Sequence, residues 1–231
     1  MIKELLERYI QKTKNKNFKF DENISSILLF SFFIQKIFAL VRGLKFYFFH
    51  KRGKLLFLGK NVQLFNKCNI IVGENVNIGN NVTLSALGKR RLIIGNNVNI
   101  GSFSQIIIST SFNKIGEFIT IGDNIGIGEF SYIGGGGGTT IEKNTIIGQY
   151  FSTHPENHTY KIKGTLIREQ ETTRKGIHIG SNCWIGSKVT ILDGVTIGNN
   201  CVIAAGAVVN KSFPSDSLIG GVPAKILKEL K

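Results

Sequence analysis

The 231-residue chain has little proline, with 3, and a single tryptophan and methionine. Cysteine is scarce as well. Cys68, Cys183 and Cys201 stand far apart, are odd in number and form no CxxC or zinc spacing. That argues against a disulfide framework and points to a reducing, cytoplasmic setting. The N-terminus lacks the basic start, apolar run and small-residue cleavage site of a secretory signal. With so few prolines, the 27 glycines belong to tight corners of a regular structure rather than to a linker. Acidic residues are outnumbered 15 to 29, for a net charge of +14. Residues 1–60 hold 13 Lys/Arg against 4 acids, a net +9, which leaves +5 for the remainder. A basic end predicts an anionic partner. Nucleic acid is disfavoured, because the basic residues cluster on an apolar helix rather than along a groove of stacking aromatics.

Residues 1–57 read as one region, helical and basic. Residues 2–13 place Ile2, Leu5, Leu6, Tyr9 and Ile10 at helical spacing. Lys12, Lys14, Lys16 and Lys19 follow, and Asp21 or Asn23 can cap a second helix. Its core, Ile24 to Ile34, is apolar nearly all round; Gln35 and Lys36 interrupt it before Ile37 to Val41. That uninterrupted run is shorter than the ~20 residues a spanning helix needs. It fits a segment lying in a membrane interface or packing on its own oligomer, with His50 at the interface.

From Leu58 a six-residue period sets in. At the C-terminal end it runs IGSNCW from Ile179, IGSKVT, ILDGVT, IGNNCV, IAAGAV and VNKSFP, six hexads that each open on Ile or Val. Earlier copies include LGKNVQ from Leu58, VGENVN from Val72, IGNNVT from Ile78, IGNNVN from Ile94, IGDNIG from Ile121 and IGQYFS from Ile147. One aliphatic side chain points inward from a short strand. A Gly, Asn or Asp turn follows, where positive φ costs little. A fifth position, such as Val62 or Val189, is small or β-branched and also points inward. Three such strands close a triangular coil, and coils stack through parallel hydrogen bonds around an aliphatic core. The expected class is mainly β, a parallel β-helix over 58–231, with a helical N-terminal region and a short C-terminal helix.

These hexads resemble the hexapeptide-repeat acyltransferases over about three quarters of the chain. The resemblance implies left-handed β-helices, usually homotrimers, with sites in clefts between subunits. The period breaks after Ile147-Gly148 and resumes at Ile179, so residues 149–178 form an insertion. In the maltose, galactoside and polysaccharide O-acetyltransferases an insertion here carries the catalytic histidine. HPENHTY, IREQ, TRKG, the CWIG to AAGAVV segment and the closing GVPAKIL look most like the O-acetyltransferases of bacterial surface polysaccharides. The implied activity is acetyl-CoA-dependent transfer to a sugar hydroxyl, with a glycan acceptor that the basic, aromatic N-terminus favours as lipid-linked. Membrane association through residues 1–57 would be peripheral, on the inner face of the cytoplasmic membrane.

A sugar hydroxyl hardly ionises near neutral pH, so the reaction needs a base, and imidazole has the suitable pKa. His158, ten residues after Gly148 and preceded by Asn157, is the first choice; His154, in a Thr-His-Pro sequence, is the rival. Asn157, Trp184 and Arg168 are the acceptor-side candidates, with Arg174 and Lys175 in the same insertion. Glu156 either orients an imidazole or is solvated. His178 reads as an exposed strand residue. By resemblance Ala204, Ala205 and Gly206 line the groove for the pantetheine arm of coenzyme A, which can pair with exposed backbone like an added strand. Lys211 and Lys225 are the matching cations for its phosphates. No metal is expected. Gly134 to Gly138 lack the Lys-Ser/Thr ending of a phosphate loop and read as a flexible corner. The alternatives are an N-acyltransferase on an amino-sugar nucleotide, a zinc β-helix using His154, His158 and His178, and a purely structural β-helix.

Overall fold

The computed structural model of the chain describes residues 2–13, 16–47 and 53–230. Lys14 and His50 lie outside these residues, as do the side chains of Ile2 and Tyr9. Short strands of the hexads stack into three parallel faces of a left-handed β-helix. The first face starts at Leu56–Leu58 and has eight parallel strands and a ninth, antiparallel one, the second starts at Gln63–Phe65 with seven, and the third starts at Ile70–Val72 with six. Along the first face Leu58, Ile78, Ile100, Ile127, Ile147, Ile185, Ile203 and Ile219 are successive register partners. From Ile78 onward every one of these is at most 3% exposed. Each such side chain contributes about 1.5–3 kcal/mol by leaving water.

The corners explain the asparagines. Asn61, Asn75, Asn81, Asn97, Asn124, Asn144, Asn182 and Asn200 hold φ of 54–62°, the left-handed region that Asn enters more readily than most residues. Their side chains form ladders parallel to the axis. Asn75 donates to Asn97 at 2.8 Å, Asn97 to Asn124 at 3.0 Å and Asn124 to Asn144 at 3.0 Å. Another corner stacks aromatic rings instead, Phe103 on Phe130 and Phe130 on Tyr150, with centroids 5.0 and 5.1 Å apart.

A regular coil takes 18 residues, as between Ile179 and Ile197, whereas Ile141 and its partner Ile179 are 38 apart. The extra chain leaves from the corner between the second and third faces. Ser152–His154 is still a strand of the second face, and Ile177–Ile179 already belongs to the third. The insertion expected at 149–178 therefore contracts to 155–176. A shorter excursion, 109–118, leaves the same corner two turns earlier.

Helix α1 spans Ile2–Thr13 and helix α2 spans Ser26–Tyr47. Gln35 and Lys36 do not interrupt α2, because both are good helix formers. Ser26–Leu44 is thus long and apolar enough to cross a bilayer by length and composition, contrary to the sequence expectation. Phe46, 3% exposed, closes the first coil against the core. At the other end the expected helix is instead a strand, Ala224–Glu229, antiparallel to Ser217–Gly221. Gly221 at φ 99° turns the chain back. Pairing with the open edge of the first face then overrides the helical propensity of AKILKE.

Candidate active site

The loops that leave the corner between the second and third faces stack on one another and enclose a groove of about 280 Å³. Ser109, Ser111, Tyr132, His154, Glu156 and His158 line it. Both candidate bases thus reach one site, in different ways.

His154 ends the strand Ser152–His154 and is the register partner of Leu192 in the next coil. Its imidazole stacks on the Tyr132 ring of the preceding coil, with centroids 5.5 Å apart and an interplanar angle of 19°. Although the residue remains solvent-accessible, the protein packed around the ring disfavours the imidazolium and lowers its pKa below the ordinary 6.5. Burial, and secondarily the charge of Glu156, raises the Tyr132 phenol above 10.0, which keeps it protonated. Thr153, fully buried where neighbouring coils carry isoleucine, accepts a hydrogen bond from the Gly134 N–H at 3.1 Å. The coil presenting His154 is therefore tied to the coil presenting Tyr132.

His158 lies on a two-residue strand, Asn157–His158, antiparallel to Thr172–Thr173 within the insertion, and both it and Asn157 are exposed. Arg168 is exposed on a 3-10 turn, Ile167–Glu169, at the far end of the same loop. Glu156 does not orient an imidazole; its carboxylate accepts from the Arg174 guanidinium. Arg174 also donates to the carbonyls of Ile115 at 2.8 Å and Lys114 at 3.1 Å, so one side chain joins both excursions. Gln170, buried, ties the loop to itself through Ile162 and Thr165. Lys175 and Gly176 donate their backbone N–H groups to Asp193 Oδ1, both at 2.8 Å.

The glycine run is packed floor rather than a flexible corner. A Cβ at Gly137 would lie 2.4 Å from the Pro155 carbonyl oxygen, and one at Gly135 2.8 Å from Ile119 and 2.9 Å from Ile108. Only a bare backbone lets the two excursions close over the coil there.

The remaining candidates lie elsewhere on the chain. Trp184, 60% exposed, is on the first face, beside Val202. Ala204, Ala205 and Gly206 turn the neighbouring corner. A Cβ at Gly220, the partner of Lys225, would lie 3.1 Å from the Ala204 Cβ, which sets Lys225 next to this edge. The space around Gly206 is open, with nothing within 4 Å of a Cβ there. A small-residue edge with an adjacent lysine fits a slender amide chain ending in phosphates. Lys211 is not part of that edge; it follows the second face and stands over the Phe213 ring, 5.6 Å from its centroid. His178 is on the third face, 3.3 Å from Glu142.

Sequence reasoning missed Tyr132, the Glu156–Arg174 pair and the exposed apolar loop tip of Tyr160, Ile162, Leu166 and Ile167. Coil stacking was the signal available for Tyr132, since a site residue's neighbour is one coil away.

Residues 176–211 match the bacterial transferase hexapeptide (six repeats) family, and residues 57–86 match the hexapeptide repeat of succinyl-transferase. Galactoside O-acetyltransferase of Escherichia coli strain K12 is 32% identical over 142 residues, covering 54% of this chain and 67% of that protein. WbbJ of the same strain, provisionally named a lipopolysaccharide biosynthesis O-acetyl transferase, is 29% identical over 120 residues, 48% of this chain and 60% of WbbJ. A Staphylococcus aureus (strain COL) protein, provisionally named an acetyltransferase, is 35% identical over 131 residues, 54% of this chain and 62% of its own length. The chain thus spans between three fifths and two thirds of the length of these relatives. The repeats, the coil they build and these alignments agree: the chain belongs to the hexapeptide-repeat acyltransferase family.

Proposed function

We propose that the chain transfers an acetyl group from acetyl-coenzyme A to a hydroxyl of a sugar in a surface polysaccharide or its precursor. The observation that carries this reading is His154, an imidazole biased to its neutral form and held by Tyr132 in a loop-walled groove. Two relatives carry O-acetyl transfer in their names, which supports O- over N-transfer.

In this reading the neutral imidazole takes the hydroxyl proton as the oxygen attacks the thioester carbonyl. The tetrahedral intermediate then expels the coenzyme A thiolate, which receives that proton. No covalent enzyme intermediate is needed. The choice between the two histidines moves to His154. Both are solvent-accessible, but the His154 ring is fixed by a strand register of the coil and a stacked neighbour, whereas His158 is carried by the inserted ribbon. The small-residue edge Ala204–Gly206 is the proposed place for the pantetheine arm. It lies at a different corner from the groove, so the site is completed between copies of the chain, most simply in a homotrimer.

The test is acceptor-dependent release of coenzyme A thiol by the full chain, over a panel of neutral and amino sugars. Acetyl ester formation on a neutral sugar is expected. Transfer only to amines would replace this reading with N-acylation, and no transfer to any acceptor would remove it.

A further inference from the structure

Helix α2 is inside out. The groups that fix its rotation against the β-helix are largely polar. Lys36 Nζ donates to Asn77 Oδ1 at 2.7 Å, and Arg42 Nε donates to the carbonyls of Leu58 at 2.8 Å and Gly59 at 3.1 Å. Gly43 permits the close approach, since a Cβ there would lie 2.0 Å from the Leu56 carbonyl oxygen. Ala39 and Phe46 are buried on that same side, and Leu29 is buried toward α1. At about 100° per residue, the opposite arc then belongs to Ile27, Phe30, Phe33, Ile37, Val41 and Leu44. These are exposed by 82, 61, 51, 44, 53 and 49%. The stripe runs for about 26 Å along the helix. It widens at one end into an apolar cleft of about 320 Å³ between Leu5 and Leu6 of α1 and Leu29, Phe30 and Phe33 of α2.

Charge identifies what covers this surface. Between Glu22 and Glu74 the sequence has no acidic residue; besides Lys36 and Arg42, which face the coil, it carries Lys45, Lys51, Arg52, Lys54, Lys60 and Lys67. Before it come Lys3, Arg8, Lys12, Lys16 and Lys19. An apolar stripe of large aliphatic and aromatic residues among lysines and arginines matches an anionic lipid surface: the stripe enters the acyl boundary and the cations meet the headgroups. The same positive charge, repeated in each copy, opposes covering the stripe with a second copy. Although α2 has the length and composition of a spanning helix, crossing the bilayer would forfeit the Lys36, Arg42 and Phe46 contacts that dock it along the coil. We infer that the outward face of α2, with the α1 cleft, seats the enzyme flat on an anionic membrane as a peripheral protein. This surface is independent of the acetyl-transfer chemistry and goes beyond it.

The experiment is vesicle flotation of the full chain, with phosphatidylcholine alone and with phosphatidylcholine containing about one third phosphatidylglycerol. The expected result is at least about tenfold more protein floating with the anionic vesicles, released by high salt. Phe30→Glu with Val41→Glu abolishes flotation while the melting temperature and the mass by light scattering stay unchanged. Should that variant misfold, the milder Ile27→Ser with Ile37→Ser still lowers flotation severalfold. Equal flotation with both vesicle types, or undiminished flotation of a folded variant, overturns the inference. So does a fall in oligomeric mass on mutating the stripe, which would make it a contact between copies. Retention of wild-type protein on the vesicles after alkaline carbonate would indicate a span and overturn it too.

Discussion

The imidazole of His154 lies nearly parallel to the ring of Tyr132, one coil below, at a centroid separation of 5.5 Å. The stack holds the side chain at the groove, and the packing that creates it lowers the histidine pKa. A base must be neutral to accept a proton, so the acidic limb of the kcat/KM profile is expected below pH 6.5, the ordinary histidine value. Tyr132→Ala opens the ring to water and should move that limb upward toward the ordinary value while lowering kcat. Tyr132→Phe, which keeps the stack, should restore both. A limb that stays put in Tyr132→Ala would remove Tyr132 as a positioning residue.

The two histidines separate cleanly by substitution. His154→Ala should lower turnover by about two to four orders of magnitude, the usual worth of a general base, with the melting curve unchanged. His158→Ala, at an exposed position on the inserted ribbon, should keep activity within about tenfold. The reverse pattern would return the role to His158 and falsify the choice made here.

The coil was legible because its signal is strictly local: Ile or Val every sixth residue, with Asn in the left-handed corner, dictates both burial and turn. The break in that period located the insertion for the same reason. Its true start could not be read. Phe151 and Thr153 are fully buried in the coil, but neither is the expected Ile or Val, so the last strand before the loop hid inside the apparent break. The His154–Tyr132 stack joins residues on successive coils, and the Glu156–Arg174 pair joins residues 18 apart across a loop. The first pair is 22 residues apart rather than the 18 of a regular coil, and the second lies inside the insertion, where the repeat that would give its 18-residue spacing meaning is absent. The end of the chain was misread because helix-forming residues were judged alone, without the open sheet edge that recruits them.

Arg174 is the bolt between the two excursions, through Glu156, Ile115 and Lys114. Arg174→Ala leaves the aliphatic coil untouched, so the melting temperature should fall by no more than a few degrees. Limited proteolysis should nevertheless cut the loop near residues 159–168 at least several times faster, and KM for the acceptor should rise. Arg174→Lys, which cannot hold three acceptors with one planar fork, should rescue only in part. Unchanged cleavage would mean that the loop is held by its other ties, Gln170, Asp193 and the Lys114–Thr172 hydrogen bond.

The three thiols differ by environment. Burial pushes the Cys183 thiol up to about 11 and also raises Cys201, whereas Cys68 is exposed. One fast-reacting thiol per chain is expected with a disulfide reagent at neutral pH, lost in Cys68→Ser, with the other two reacting only on unfolding.

The placement of the proposed base and the proposed coenzyme edge makes the strongest demand. His154 lies where the second face meets the third, and Ala204–Gly206 lies where the first meets the second. If transfer occurs between copies, one chain can supply the base and its neighbour the coenzyme edge. Ala205 is exposed, so Ala205→Trp fills the open edge without entering the core. Each of Ala205→Trp and His154→Ala should be nearly inactive alone. Mixed by unfolding and refolding together, they should regain a substantial fraction of wild-type activity, because some assemblies then hold an intact edge facing an intact base. Mixing without subunit exchange should recover nothing, which controls for residual activity of either variant. If co-refolded mixtures that contain hybrid assemblies by mass remain inactive, base and edge must serve the same subunit, and the arrangement between copies fails.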